Sequence, residues 1–246
     1  MIYFAGSCSF EGFEEGMAEA AFLQSKGINY LRAMLWKPRT KKTAFQGVGV
    51  DGIKDLHKIK EKYPNIVFII EVMDQHQVET IMRTNLKVVF QIGARNSQNY
   101  SLLKYLGSFS GLNIIYKRGP WMTIDEFVAG ADYLEPTKNK IALCLRGVST
   151  TDSIMRNMPD LADILVLKRK YKFTKNPPYI FFDPSHSSGD RAYIHQLSLA
   201  AQVLGADGLE IEIHSFPNSA ISDGAQTIDF KTFELILNDI KTISNF

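Results

Sequence analysis

The chain has 246 residues, enough to bury one large core without requiring a second domain. A net charge of +2 gives no reason to expect nucleic acid or an anionic membrane as partner, and two cysteines (Cys8 and Cys144) fall far short of a disulfide framework. No run of about 18 apolar residues exists to span a bilayer, and the first residues, MIYFAGSCSFEGFEEG, lack the basic and apolar regions of a signal peptide, so the chain reads as cytoplasmic.

In chain order, short apolar runs alternate with segments of helical spacing. The run Ile2–Cys8 is followed by a predicted helix over Gly12–Gln24, Tyr30–Lys37 by Gly52–Lys62, Ile66–Val72 by Gln77–Thr84, and Val88–Ile92 by Gln98–Phe109. Next come Asn113–Lys117 with Ile124–Tyr133, and Ile141–Arg146 with Thr151–Phe173, the least regular connection, broken by Pro159. Tyr179–Asp183 with Arg191–Leu204 and Leu209–Ile213 with Phe230–Ile243 complete the series. Strands apolar on both faces that alternate with helices predict a parallel sheet covered by helices. About eight such units predict a single closed (β/α)₈ TIM barrel over residues 1–246 with no appended regulatory domain, whereas five or six would predict an open sheet. No GxGxxG or GxxxxGK[ST] follows the first run, which weakens a nucleotide-binding reading.

In such a barrel the chemistry gathers at the C-terminal ends of the strands. Here those ends carry Cys8, Lys37, Glu71, Gln91 with Arg95, Lys117-Arg118, Arg146, Asp183 with His186, and Glu212, with Asp223 in the loop beyond. The opposite ends carry mostly turn chemistry: Tyr3, Asn29, Asn65, Lys87, Asn113, Lys140, Pro178 and Gly208. A single polar residue at a strand end is usually a solvated boundary; a whole rim of them is not. Within the rim, Cys8, His186, Glu212 and Asp223 form a thiol, imidazole and carboxylate set suited to a borderline divalent ion (Mn, Fe, Co or Zn). Their spacing alone leaves open that Cys8 is a small core residue and His186 a loop histidine. Arg32, Lys37, Arg39, Arg95, Lys117, Arg118 and Arg146 form a cationic group that implies a small substrate with more than one phosphate or carboxylate.

At these residues the sequence resembles the 3-deoxy-7-phosphoheptulonate (DAHP) synthase family, short type I form. The stretches FAGSCSFEG, LRAMLWKPRT with FQGVG, FQIGARNSQNYSLLKYLG, YKRG, LCLRG, DPSHSSGDR and GLEIEIHSFPNSAISDGAQT carry the resemblance in order along almost the whole chain. It implies that Cys8, His186, Glu212 and Asp223 ligate a divalent metal. It implies that Arg95, Lys117 and Arg146 hold phosphoenolpyruvate, with Arg32 and Lys37 at its carboxylate or reacting centre, and that Arg39 and Thr40 take the phosphate of erythrose 4-phosphate. The implied reaction condenses these two substrates to DAHP and phosphate, the entry to the shikimate pathway. Lys37 is the candidate proton donor, with His186 or a bound water as rivals. The resemblance also implies a homo-oligomer, dimer or tetramer.

Several residues depart from the family's usual pattern: Ser7 before the cysteine, Ala33-Met34, Lys41-Lys42-Thr43, Pro120-Trp121-Met122 and Leu145. They bear on the second-substrate pocket more than on the metal set. The related 3-deoxy-octulosonate 8-phosphate synthases use the same chemistry on arabinose 5-phosphate but typically lack KPRT at the second strand end; its presence here favours the four-carbon sugar. A Schiff-base aldolase built on Lys37 or Lys117 is the rival from another enzyme class, and a degenerate, non-catalytic barrel the rival that is no enzyme. With no appended domain expected, weak or absent feedback inhibition by aromatic amino acids is also expected.

Overall fold

The computed structural model describes residues 1–243. Eight parallel strands close into a barrel in sequence order: β1 (Ile2–Gly6), β2 (Tyr30–Arg32), β3 (Val67–Glu71), β4 (Val88–Ile92), β5 (Asn113–Lys117), β6 (Lys140–Leu145), β7 (Tyr179–Phe182) and β8 (Gly208–Glu212). Pairing of β1 with β8, from Ile2 opposite Gly208 to Gly6 opposite Glu212, shuts the ring. The outer helices are α1 (Phe13–Ser25), α2 (Ile53–Lys62), α3 (Gln75–Met82), α4 (Tyr100–Gly107), α5 (Ile124–Asp132), α6 (Ala162–Lys170), α8 (Ile194–Val203) and α9 (Phe230–Ile243). The short α7 (Pro184–Ser188) is inserted directly after β7. The fold is the expected (β/α)₈ barrel.

Strand alternation divides the core in two. Outward positions such as Leu31, Phe68, Ile70, Phe90, Leu143, Phe182, Leu209 and Ile211 pack with the helices in one large cluster. Inward positions Phe4, Ile69, Val89, Ile115, Ala142, Cys144 and Phe181 join Met34 in a separate plug inside the barrel. Local chemistry starts the helices: Asp74 and Asn99 accept from the backbone N–H of Gln77 and Leu102, and Thr123 and Glu126 form a reciprocal capping box.

Two strand ends and one connection depart most from the sequence reading. The first strand ends at Gly6, short of Cys8. The second ends at Arg32, not Lys37. After Ala33 donates to the Ile69 carbonyl, the chain turns to a different partner: Lys37 N donates to Gln46 O and Gly49 N to Leu35 O, both at 2.8–2.9 Å. Gly47 permits this with φ +95°, since a Cβ there would lie 2.2 Å from the Leu35 carbonyl oxygen. The apolar run Ala33–Leu35 is therefore buried as irregular chain. In the sixth connection, Val148 and Met158 bridge antiparallel before α6 begins, which accounts for its irregular pattern.

Candidate active site

Cys8, His186 and Glu212 converge from three distant segments. One ligand atom of each lies within 4.8 Å of those of the other two. Glu212 ends β8 beside Gly6, so Cys8, two residues past Gly6, comes to the same corner of the rim. His186 is placed by α7, whose N-cap, Asp183, accepts from the His186 backbone N–H at 2.8 Å. The second oxygen of Asp183 lies 2.6 Å from His186 Nδ1. That contact fixes the ring so that Nε2 faces Glu212 Oε1 at 3.3 Å, the arrangement that orients a ligating imidazole. Burial lowers the His186 pKa against the pull of Asp183 and Glu212, which keeps the ring neutral and its lone pair free.

Asp223, the fourth residue of the set, is outside that mutual group but touches it, accepting from the Cys8 thiol at 2.9 Å. Its backbone is left-handed (φ 54°), a conformation of appreciable cost to a residue with a side chain, and such strain clusters at functional sites. Burial pushes the Cys8 thiol well above its usual pKa, and Glu212 and Asp223 push further, against Lys37 and Arg32. A sulfur, an imidazole nitrogen and carboxylate oxygens so arranged fit a borderline divalent cation. A cation there would also turn the raised thiol into a favourable thiolate.

The cations line a cleft of about 370 Å³ above the barrel interior. Arg32, 2% exposed, donates to Glu210 Oε1 at 2.6 Å and Glu212 Oε1 at 3.2 Å. Lys117 pairs with Asp183 and, at 2.9 Å, with Glu210. Lys37 donates to the Cys8 carbonyl at 2.8 Å and reaches Asp223 at 3.4 Å. Burial alone would lower its pKa, but Cys8 and Glu212 outweigh that and raise it, so the amine stays charged. Arg39 lies 3.5 Å from Asp223, Arg146 donates to the His186 carbonyl at 3.4 Å, and Thr40 and Arg95 complete the wall. Burial lowers the Arg146 pKa.

Arg118 is the exception in the cationic group. It turns away from the cleft and ties Asp160 (3.0 Å), Asp163 (2.6 Å) and the Met122 carbonyl together. Adjacent strand residues face opposite sides, so Lys117 and Arg118 cannot both point inward. Sequence reasoning also left Arg156 out of the site. It lines the cleft 3.9 Å from Asp223 and donates to Gln226 at 2.7 Å, but it lies in the irregular sixth connection where no periodicity marks it. Glu210 was missed because it sits within a strand; the Glu-Ile alternation of Gly208–Glu212 was the available signal. Trp121 and Lys41 contribute to the cleft wall as well. Among the described residues, no helix is long and apolar enough to cross a membrane.

The model of the DAHP synthetase I family matches residues 1–245. The chain is 36% identical to the phospho-2-dehydro-3-deoxyheptonate aldolase of Thermotoga maritima over 242 residues, 98% of this chain and 69% of that one. It is 28% identical to the 2-dehydro-3-deoxyphosphooctonate aldolase of Fusobacterium nucleatum over 256 residues, 96% of this chain and 87% of the other. The crystal structure of the Thermotoga maritima DAHP synthase superimposes with a TM-score of 0.90 at 34% identity, covering all of this chain and 69% of that chain. A truncated form of the Thermotoga enzyme gives 0.85 at 33% identity, covering 87% of that form. With the family model matched end to end and the barrel superimposed throughout, the chain belongs to the DAHP synthetase I family.

Proposed function

We propose that this protein condenses phosphoenolpyruvate with erythrose 4-phosphate to give 3-deoxy-D-arabino-heptulosonate 7-phosphate and phosphate, with a divalent metal ion held by Cys8, His186, Glu212 and Asp223. The observation that carries this reading is the convergence of Cys8, His186 and Glu212 beside a cleft lined by buried cations. When bound, the ion supplies Lewis-acid polarisation of the aldehyde oxygen.

The chain's own residues account for the rest. Arg95, Lys117 and Arg146 hold the enol phosphate, Arg32 binds the carboxylate, and Arg39 with Thr40 takes the sugar phosphate. Among the described residues, Arg32 Nε is buried without a hydrogen-bond partner, a donor that a bound carboxylate would satisfy. Holding two mutually repelling anions together is a proximity effect as much as a charge effect. The enol carbon C3 of phosphoenolpyruvate bonds to the aldehyde carbon. Lys37, charged and at the floor, gives its proton to the oxygen that becomes the new hydroxyl. Water adds at C2, giving up one proton that restores Lys37, and the C2–O bond to phosphate then breaks as the new C2 hydroxyl becomes the ketone, its proton leaving with the phosphate.

The test is phosphate release with phosphoenolpyruvate and a panel of aldose phosphates, with and without chelator. Release with the four-carbon sugar that chelator abolishes is the expected result. Preference for arabinose 5-phosphate would assign the five-carbon reaction. Chelator-resistant turnover with a lysine trapped by borohydride would assign a Schiff-base aldolase instead.

A further inference from the structure

Strand β8 turns two glutamates inward. Glu212 belongs to the metal set. Glu210 lies one inward position deeper, fully buried, and meets neither that set nor the cleft surface. Its Oε1 accepts from Arg32 Nη1 at 2.6 Å and from Lys117 Nζ at 2.9 Å, and its Oε2 accepts weakly from Cys144 Sγ at 3.7 Å. Arg32 continues to Glu212 and Lys117 to Asp183, while His186 spans Asp183 and Glu212. The six groups thus close a ring in the order Asp183, Lys117, Glu210, Arg32, Glu212, His186.

We propose that Glu210 is a positioning residue: a single carboxylate oxygen that fixes Arg32 and Lys117 relative to one another and thereby sets the cleft's affinity for the enolpyruvyl phosphate. This deepens, and rests on, the substrate assignment above. Arg32 and Lys117 reach the interior from β2 and β5, and among the described residues Glu210 is the acid to which both donate a hydrogen bond. Without it, each cation keeps one direct ion-pair partner among the described residues, Glu212 for Arg32 and Asp183 for Lys117. Arg32 would settle on Glu212 and Lys117 on Asp183, and mutual repulsion would drive them the same way.

Position and charge act in opposite directions here, which makes the inference testable. A carboxylate that merely neutralised the cleft would weaken anion binding, and its removal would tighten it. One that positions two donors would loosen binding on removal or shortening. Glutamine keeps the length and an acceptor oxygen but loses the charge; aspartate keeps the charge but loses the reach.

The experiment is steady-state phosphate release by the metal-loaded enzyme, varying phosphoenolpyruvate at saturating erythrose 4-phosphate, for wild type, Glu210→Gln and Glu210→Asp. The expected result is a KM for phosphoenolpyruvate raised about tenfold in Glu210→Asp and about threefold in Glu210→Gln, with kcat and the sugar KM nearly unchanged. A lowered KM in Glu210→Gln, or a KM within about twofold of wild type in Glu210→Asp, overturns it. Should Glu210→Asp fail to fold, Glu210→Gln decides alone. The rise in Tm caused by phosphoenolpyruvate alone separates this inference from the assigned reaction: a smaller rise in the variants supports the role of Glu210 even if no sugar yields phosphate, and an equal rise, or none in wild type, overturns it.

Discussion

The inward face of the barrel changes character within one strand step. Ile69, Val89, Ile115 and Phe181 belong to the apolar plug; two residues further along the same strands and their exits stand Glu71, Gln91, Lys117 and Asp183. The same pleat supplies both layers. The lower layer is held by apolar burial, which is non-directional and tolerant of chemistry. The upper layer is polar, and its fully buried charges are held as a set, Lys117 paired with Asp183 and Glu210 and Arg32 with Glu210 and Glu212 from other strands. A substitution in the plug should therefore appear in stability with the kinetics spared, and one in the ring in the kinetics whether or not stability also falls.

The largest effect expected is on the ring side. Cys8→Ser removes the thiol from the metal set and should lower turnover by about 10³-fold or more, the several kcal/mol that electrophilic assistance contributes, with Tm nearly unchanged. Ile69→Ala, in the plug and fully buried, should cost about 2–5 kcal/mol in denaturant unfolding yet leave kcat and KM of the folded enzyme as they were. Loss of activity in that variant without loss of stability would break the division. Asp183→Asn weakens the group that orients His186 and anchors Lys117, and should reduce metal affinity or activity about 10–100-fold, read by metal titration. Arg39→Ala, on the half-buried wall, should raise the KM for the sugar phosphate roughly tenfold and spare that for phosphoenolpyruvate.

The smallest effect lies away from both layers. Glu19 is buried on α1, accepting from the Ser7 backbone N–H at 2.8 Å, and burial raises its pKa well above the usual carboxylate value despite that bond. A folded-state pKa above the unfolded one favours the protonated form. Its contribution is complete below the ordinary carboxylate range and is lost as pH rises through the raised value. Glu19→Gln should flatten the fall of Tm on the alkaline side; an unchanged slope would show that Glu19 does not titrate there.

Much of this architecture was legible because strand ends are where apolar runs stop. Arg95, Lys117, Arg146 and Glu212 could be placed on one rim from that alone, while Lys37 reaches the same rim through irregular chain beyond β2. Parity was the information left unused. It would have turned Arg118 outward to Asp160 and Asp163 and brought Glu210 inward beside Glu212. The meeting of Cys8, His186 and Glu212 had no local spacing to reveal it; the strand-end rim grouped them as a set, and the family resemblance made that set a metal site. The end of β2 and the place of Arg156 depended on irregular chain around Gly47 and Val148, where non-local hydrogen bonds rather than period decide the path.

The central claim is that a cation is held through the Cys8 sulfur. The most direct test is the optical spectrum of the cobalt-loaded protein. One equivalent of cobalt should give a thiolate-to-metal charge-transfer band in wild type that is absent from Cys8→Ser and diminished in His186→Ala. Tight cobalt binding with no such band, or a band that persists in Cys8→Ser, would contradict it.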